Sequence, residues 1–210
     1  MSKTGQLGVR VGRLEARRAA ILAAATAAFL EHGFAGATLD HVIAASGGSR
    51  ATVYAQFGNK EGLFAAIVAG VCERMLAPLD AAIEAGRPPA EVLRAFALRY
   101  ATAFLEPGSI ALFRVAAADS GRFPELGRRV FAAGPQVAAA RLGDYLAGAK
   151  RRRELKVRDP ALAARIFLEM STGDLHKRAL FGVPPVPSSA EIEAVVEAAV
   201  AIFLSGCARP

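Results

Sequence analysis

The stretch "ASGGSRATVYAQFGNKEGLF", residues 45–64, decides how the first third of this 210-residue chain folds. Its two adjacent glycines separate two short segments that have apolar residues at helical spacing. Glycine favours the left-handed end of a helix, and Ser49 is a good N-cap for the next one. We therefore predict a helix over 39–46, a tight turn and a second helix over 50–57. This arrangement is typical of a helix-turn-helix, whose second helix lies in the major groove of DNA.

The two faces of the 50–57 helix support this interpretation. Val53 and Phe57 fall on one side of the helix and are predicted to be buried. The opposite side has small side chains at its centre. Small residues let a helix approach base edges, arginine and glutamine can pair with guanine or adenine, and hydroxyl and ammonium groups suit phosphates. The candidate DNA contacts are Arg50, Thr52, Tyr54, Gln56 and Lys60. Spacing alone leaves an ordinary helical hairpin with a solvated polar face as the alternative.

The rest of the chain also has a helical pattern, and we predict an all-α fold. Residues 1–12 are rich in glycine and basic, which indicates a flexible arm. Pro78 should interrupt or bend one helix and Pro135 should kink another. A three-helix DNA-binding domain is predicted over 13–62 and a helical bundle over 63–210. The remaining helices are predicted at 13–32, 60–84, 89–105, 109–119, 124–152, 159–181 and 189–205.

Composition indicates a cytoplasmic protein with a polyanionic partner. The net charge is +7, which favours nucleic acid, although a basic surface without such a partner is the alternative. The longest uncharged runs, such as Ala19–Leu30, are shorter than the roughly 20 residues of a membrane span. The N-terminus lacks an apolar signal core. Cys72 and Cys207 are far apart in sequence, which favours a reducing compartment over a disulfide scaffold.

The segment "RRAAILAAATAAFLEHGFAGATLDHVIAASGGSRATVYAQFGNKEGLFAAIV", residues 17–68, resembles the DNA-binding domain of the tetracycline-repressor (TetR) family of transcriptional regulators. The resemblance implies a homodimer that binds a palindromic double-stranded DNA operator. By family position Thr38, Thr52, Tyr54 and Lys60 would contact phosphates, while Arg50, Ala51 and Gln56 would lie towards bases.

Three positions depart from the family pattern. Gly48 replaces an apolar residue and Gly62 replaces a glutamate of a capping box, so both changes are expected to loosen the local backbone. Ala55 replaces a larger side chain, which is expected to alter the operator sequence.

Three later segments resemble the C-terminal domain of AefR-like repressors: residues 112–135, 154–167 and 173–182. This resemblance implies that 63–210 binds a small effector and that its last two helices form a four-helix bundle with a second subunit. Aromatic residues at i, i+4 and i+8 on the 89–105 helix favour an apolar effector pocket, with ordinary core packing as the alternative for each residue. The candidate ligand-binding residues are Phe96, Tyr100, Phe104, Phe113, Phe131, Phe167, Met170 and Asp174.

The sequence offers no catalytic group, metal site or cofactor motif, so we do not expect an enzyme. The three histidines form no i, i+3 or i, i+4 pair that would favour zinc binding. The expected function is that of a ligand-responsive repressor released from DNA by a largely apolar effector. An activator, or a redox-responsive regulator acting through Cys72, is the alternative.

Overall fold

A computed structural model describes residues 3–84 and 86–207, and its regular structure in these ranges is entirely α-helical, as predicted. The helices are α1 (Lys3–Gly36), α2 (Leu39–Ser46), α3 (Arg50–Phe57), α4 (Lys60–Glu84), α5 (Pro89–Leu105), α6 (Pro107–Ser120), α7 (Pro124–Ala133), α8 (Pro135–Arg151), α9 (Pro160–Thr172), α10 (Leu175–Phe181) and α11 (Ser189–Cys207).

The first helix begins earlier than the sequence suggested. Helical backbone starts at Lys3, so the prediction of a flexible arm was wrong from that residue onward, and its first two residues lie outside the described ranges. No proline interrupts residues 3–32, and adding a residue to an existing helix costs far less than starting one. The predicted stop at Gly33 is confirmed, because its φ of 67° and ψ of 176° break the helical geometry.

Two predicted helices are each divided by a glycine. The 124–152 segment forms α7 and α8, with Gly134 between them and Pro135 at the first position of α8, where a missing N–H costs nothing. The 159–181 segment forms α9 and α10, separated at Gly173 with φ 53°. In contrast, α4 runs through Pro78 without interruption. The flanking Met75, Leu76 and Leu79 are buried, and this packing offsets one lost backbone hydrogen bond.

The chain forms two compact units, which differ from the predicted division at residue 62. The first unit, Met1–Val68 with Arg114–Val130, contains α1 to α3 and residues from α6 and α7. Its core is aromatic: the Phe29 and Phe34 rings stack with centroids 5.7 Å apart, and the Phe29 and Phe64 rings meet edge to face with centroids 4.9 Å apart. Segment 114–130, which the sequence assigned to the effector domain, therefore packs with the helix-turn-helix.

The second unit, Ala69–Phe113 with Phe131–Pro210, is a helical bundle. Helix α9 packs against α5, α8 and α11, and α5 packs against α11. Phe167 of α9 and Phe203 of α11 meet edge to face at 4.8 Å. These apolar contacts give the unit its own core.

Two segments, Gly12–Gly36 and Lys60–Ala81, are long and apolar enough to cross a membrane by length and composition alone. Both contribute to the core, since Ile21, Phe29, Leu63 and Phe64 are at most 1% exposed. The core helices of soluble proteins meet the same criteria of length and composition.

Candidate nucleic-acid interface

The predicted turn and caps of the helix-turn-helix are all present. The Thr38 Oγ1 accepts a hydrogen bond from the His41 N–H at 3.2 Å and begins α2. Gly47 ends α2 in the left-handed conformation, with φ 64°, and its N–H donates to the Ile43 carbonyl at 3.1 Å. Ser49 Oγ then accepts from the Thr52 N–H at 3.1 Å and begins α3. Short polar side chains and one glycine thus fix the angle between the two helices.

Helix α3 has the two faces expected from its sequence. Val53 and Phe57 are buried, and the Arg18 guanidinium lies 5.0 Å from the centre of the Phe57 ring. Ala51 and Ala55 are exposed, and half of the Tyr54 surface is accessible. The alanine side chains are short, so this exposed side of α3 can come close to the base edges of DNA.

Several predicted DNA contacts already have partners within the protein. The Arg50 guanidinium donates to the carboxylate of Asp40 in the first turn of α2. The hydroxyls of Thr52 and Ser49 are hydrogen-bonded at 2.8 Å. A hydroxyl has one donor and two acceptor sites, so Thr38 and Thr52 retain capacity for a phosphate. Gln56 is half-buried and its Oε1 is enclosed without a hydrogen-bond partner, which does not favour its predicted role at bases.

Lys60 has a structural role that the sequence did not reveal. Its Nζ donates to the carbonyls of Phe34 (2.6 Å), Ala35 (3.3 Å) and Ala37 (3.0 Å), and it lies 4.5 Å from the centre of the Phe34 ring. Partial burial lowers the pKa of this ammonium group. An ammonium has three N–H donors, so a phosphate contact would have to replace one of these bonds. In this conformation Lys60 holds residues 34–37, which follow the break of α1 at Gly33 and precede α2; we call them the α1–α2 connection.

Asp119, near the end of α6, binds the N–H groups of the same connection. Its Oδ2 accepts from the N–H groups of Phe34 at 3.0 Å and Ala35 at 3.2 Å. Phe123 places its ring 5.2 Å from Phe34 at an interplanar angle of 68°. The N–H groups of the connection are thus bound by a carboxylate and its carbonyls by an ammonium. The acidic residue lies 84 or more positions away in sequence, and only the fold brings it here.

The two glycines that depart from the family pattern have different environments. A Cβ added at Gly48 would meet the Ser46 Oγ at 3.2 Å and Ile21 at 3.8 Å, so a small side chain fits once the Ser46 hydroxyl moves slightly. A Cβ added at Gly62 would lie 2.0 Å from the Phe57 carbonyl oxygen, which excludes any side chain in this backbone. The N–H of Gly62 donates to Asn59 Oδ1 at 2.8 Å. Glycine at 62 therefore permits a close approach, and half of the capping box persists.

Four of the candidate ligand-binding residues form a continuous aromatic row in the second unit. Along it, Phe96 and Tyr100 lie 5.9 Å apart, Tyr100 and Phe104 stack at 5.4 Å, and Phe104 meets Phe113 edge to face at 6.2 Å. His176 of α10, which the sequence analysis missed, packs 4.5 Å from Phe104 and 5.0 Å from Phe113. Its Nε2 is enclosed without a hydrogen-bond partner, and burial lowers its pKa, so the imidazole is neutral near pH 7.

The remaining candidates are dispersed. Phe167 is fully buried, as core residues are, and Phe131 is 61% exposed. Met170 packs at the edge of the core, and Asp174 is an exposed residue immediately before α10. The spacing of His176 from Asp174 gave no sign that its ring would join the Phe104 cluster, because that contact depends on how α10 packs.

Cys72 does not have the environment of a redox sensor. It is 4% exposed, its Sγ lies 3.5 Å from the Gly134 carbonyl oxygen, and burial raises the pKa of the thiol. Oxidation requires an accessible thiolate, so this environment disfavours the redox-responsive alternative for Cys72.

Two family models match this chain. Residues 21–67 match the model for bacterial regulatory proteins of the tetR family. Residues 91–206, more than half of the chain, match the AefR-like transcriptional repressor C-terminal domain.

Individual relatives extend the similarity. A structure described as a TetR-family transcriptional regulator from Mesorhizobium loti MAFF303099 is 27% identical, with a TM-score of 0.78 over 92% of this chain and 97% of the other. The flavonoid-responsive regulator FrrA is 33% identical, with a TM-score of 0.71, and the match again covers 92% of this chain and 97% of the other. The HTH-type transcriptional repressor SCO4008 of Streptomyces coelicolor is 43% identical over 54 residues, which are 26% of this chain and 28% of that protein.

Proposed function

Because this chain belongs to the TetR family of DNA-binding transcriptional regulators, we propose that it is a homodimeric repressor released from a palindromic operator by a small effector. The proposed cellular location is the cytoplasm, where its operator would lie. The observation that carries this proposal is the exposed side of α3, which presents Arg50, Ala51 and Tyr54. Ser49 caps this helix, and the buried Val53 and Phe57 anchor its other side.

Selection of bound duplexes from a random DNA pool tests the DNA-binding part. The purified protein should enrich two inverted half-sites separated by about one helical turn, since each subunit presents one α3. Tyr54→Phe removes a proposed phosphate contact, so affinity should fall by a similar factor for all sequences. The salt slope should remain nearly unchanged, because the lost hydroxyl carries no charge and releases no counterion. Recovery of random sequences at low salt would contradict specific operator binding.

We propose that the effector is a planar aromatic molecule that carries a hydrogen-bonding group. Stacked and edge-to-face rings at Tyr100, Phe104 and Phe113 favour a flat aromatic partner. The enclosed Nε2 of His176 lacks a partner, and a hydroxyl of the effector would supply it. The response of the relative FrrA to flavonoids supports this chemical class.

Calorimetric titration with a hydroxylated flavone tests the effector site. His176→Phe retains an aromatic ring but removes the nitrogen, so affinity should fall about 3- to 10-fold, the worth of one neutral hydrogen bond. Phe131→Ala is the matched control, because it removes an aromatic ring that is 61% exposed. The flavone and the operator should weaken each other's binding by the same factor. Binding without any effect on operator affinity would contradict the regulatory role.

We propose that α9 and α11 form the dimer bundle. Leu162 and Ile166 lie four residues apart on α9 with 44% and 48% of their surfaces exposed, and Ile202 of α11 is 62% exposed. Small residues flank Ile202 on the same side of α11, namely Ala194, Ala198, Ala201 and Ser205, and they permit close helix packing. A second copy would cover these apolar positions.

A further inference from the structure

We propose that Asp40 is a specificity-determining residue, which holds the Arg50 guanidinium in the orientation that reads a guanine in the operator. This inference rests on the proposed DNA contact of Arg50 and adds a residue that neither the family resemblance nor the helix pattern assigns to DNA recognition.

The two residues meet at the surface that α3 presents. Arg50 is the first residue of α3, and the N-terminal residues of a recognition helix contact base edges. Asp40 lies in the first turn of α2, and its Oδ1 accepts a hydrogen bond from the Arg50 Nη2. Both side chains remain largely accessible, at 64% for Arg50 and 68% for Asp40. The pair is therefore available to DNA and is not part of the core.

The arginine keeps the donors that guanine requires. A guanidinium has five N–H donors in a planar fork, and guanine O6 and N7 use two of them. Asp40 binds one terminal nitrogen, which limits rotation of a long side chain before DNA arrives. Less conformational entropy is then lost when the fork meets the base.

The Asp40 carboxylate also weakens the binding of Arg50 to phosphates, which competes with its contact to guanine. An unrestrained arginine beside DNA can bind phosphates, which are present at every sequence and carry no information about bases. Asp40 neutralises part of that attraction and repels phosphates itself. Binding in which Arg50 contacts only phosphates is therefore weakened more than binding in which it contacts guanine. The ratio of specific to non-specific affinity increases as a result.

Asp40 has a second role that the experiment must separate from this one. An acidic residue in the first turn of a helix stabilises the helix through its dipole, and Asp40 occupies that position in α2. Loss of the dipole interaction would reduce stability but would leave the preference among bases unchanged. Base preference is therefore the decisive measurement.

The test uses the duplex that the wild-type protein selects from a random pool and a set in which each base pair of one half-site is replaced in turn. Arg50→Ala should reduce discrimination at one guanine position by about 5- to 150-fold. Asp40→Ala should reduce discrimination at that same position by about 2- to 10-fold and should strengthen binding to unrelated DNA. Asp40→Asn keeps an acceptor oxygen and should give a smaller loss, which also guards against misfolding of the alanine variant.

Glu61→Gln is the charge-matched control, because it removes one negative charge from the first turn of α4. It should raise affinity for all duplexes by a similar factor. In the Arg50→Ala background, Asp40→Ala should produce no further change in base preference. The proposal is overturned if Asp40→Ala shifts every duplex equally, as Glu61→Gln does, or if it changes discrimination at a position that Arg50→Ala does not affect. Failure of the wild-type protein to select any duplex would instead refute the proposed function itself.

Discussion

Gly47 and Gly48 are neighbours in the turn of the helix-turn-helix, but only Gly47 has a backbone conformation that favours glycine. Gly47 has φ 64° and ψ 18°, a left-handed conformation that costs other residues about 1–2 kcal/mol. The φ of Gly48 is not positive, and the closest contact of a Cβ added there would be with the Ser46 hydroxyl, at 3.2 Å. The first glycine is required by backbone geometry, whereas the second is not.

Alanine substitutions should therefore change stability in opposite directions at these two positions. Gly47→Ala should destabilise the protein by about 1 kcal/mol, because alanine resists the left-handed conformation. Gly48→Ala should stabilise it by about 0.4–1 kcal/mol by reducing the freedom of the unfolded chain, provided that the Ser46 side chain rotates. Urea unfolding of the two variants measures both effects, and shifts of the same sign would contradict the difference in backbone conformation.

His176 should make the stability of the protein depend on pH. Burial lowers its folded pKa, so the unfolded chain takes up a proton first as the pH falls through about 6.5. Its contribution to stability is therefore complete above that pH and is lost as the pH falls towards the folded pKa; the negative charge of Glu169 opposes this shift. His176→Phe should show a shallower loss of stability between about pH 7 and pH 5 in thermal unfolding. Parallel curves for the two proteins would exclude this effect.

At the scale of elements, the α1–α2 connection depends on segments that are distant in sequence. Asp119 of α6 binds its N–H groups, Lys60 of α4 binds its carbonyls, and Phe123 covers the Phe34 ring. Backbone groups of a connection that is partly buried need partners, and unmet ones are costly. The end of α6 and the start of α4 therefore fix where α2 begins.

Asp119→Ala should destabilise the first unit by about 1–3 kcal/mol, because it leaves two N–H groups without their acceptor. Asp119→Asn retains an acceptor oxygen and should cost less. Hydrogen exchange at the Phe34 and Ala35 amides measures the local effect, and the global effect appears in urea unfolding. Unchanged exchange at these two amides in Asp119→Ala would show that the carboxylate does not bind them in solution.

At the scale of the whole molecule, charge and symmetry determine how the protein meets DNA. The net charge of +7 favours attraction to any duplex, whereas recognition of an inverted repeat requires two subunits. The apolar surface of α9 and α11 is the part of the described chain that we propose for this association.

Ile202→Glu should convert the dimer to a monomer of 21.9 kDa, because it places a charge in the apolar interface proposed for α11. Analytical ultracentrifugation measures the mass, and affinity for the selected palindrome should fall with it. Leu30→Glu is the control, since Leu30 is 41% exposed on α1, which is not part of the interface proposed for α9 and α11. A dimeric Ile202→Glu protein would place the interface elsewhere.

The sequence by itself determined the all-α class, the helix-turn-helix and its caps, because these depend on neighbours within four residues. Thr38, Gly47 and Ser49 act through their own backbone conformation or through N–H groups a few positions away. The breaks at Gly134 and Gly173 and the continuity at Pro78 were harder to predict, since tertiary packing competes there with local preference. Tertiary structure alone decided the partners of Lys60 and Asp119, the approach of His176 to Phe104, and the division into units. These contacts join residues from different helices, and local spacing carries no information about how helices pack.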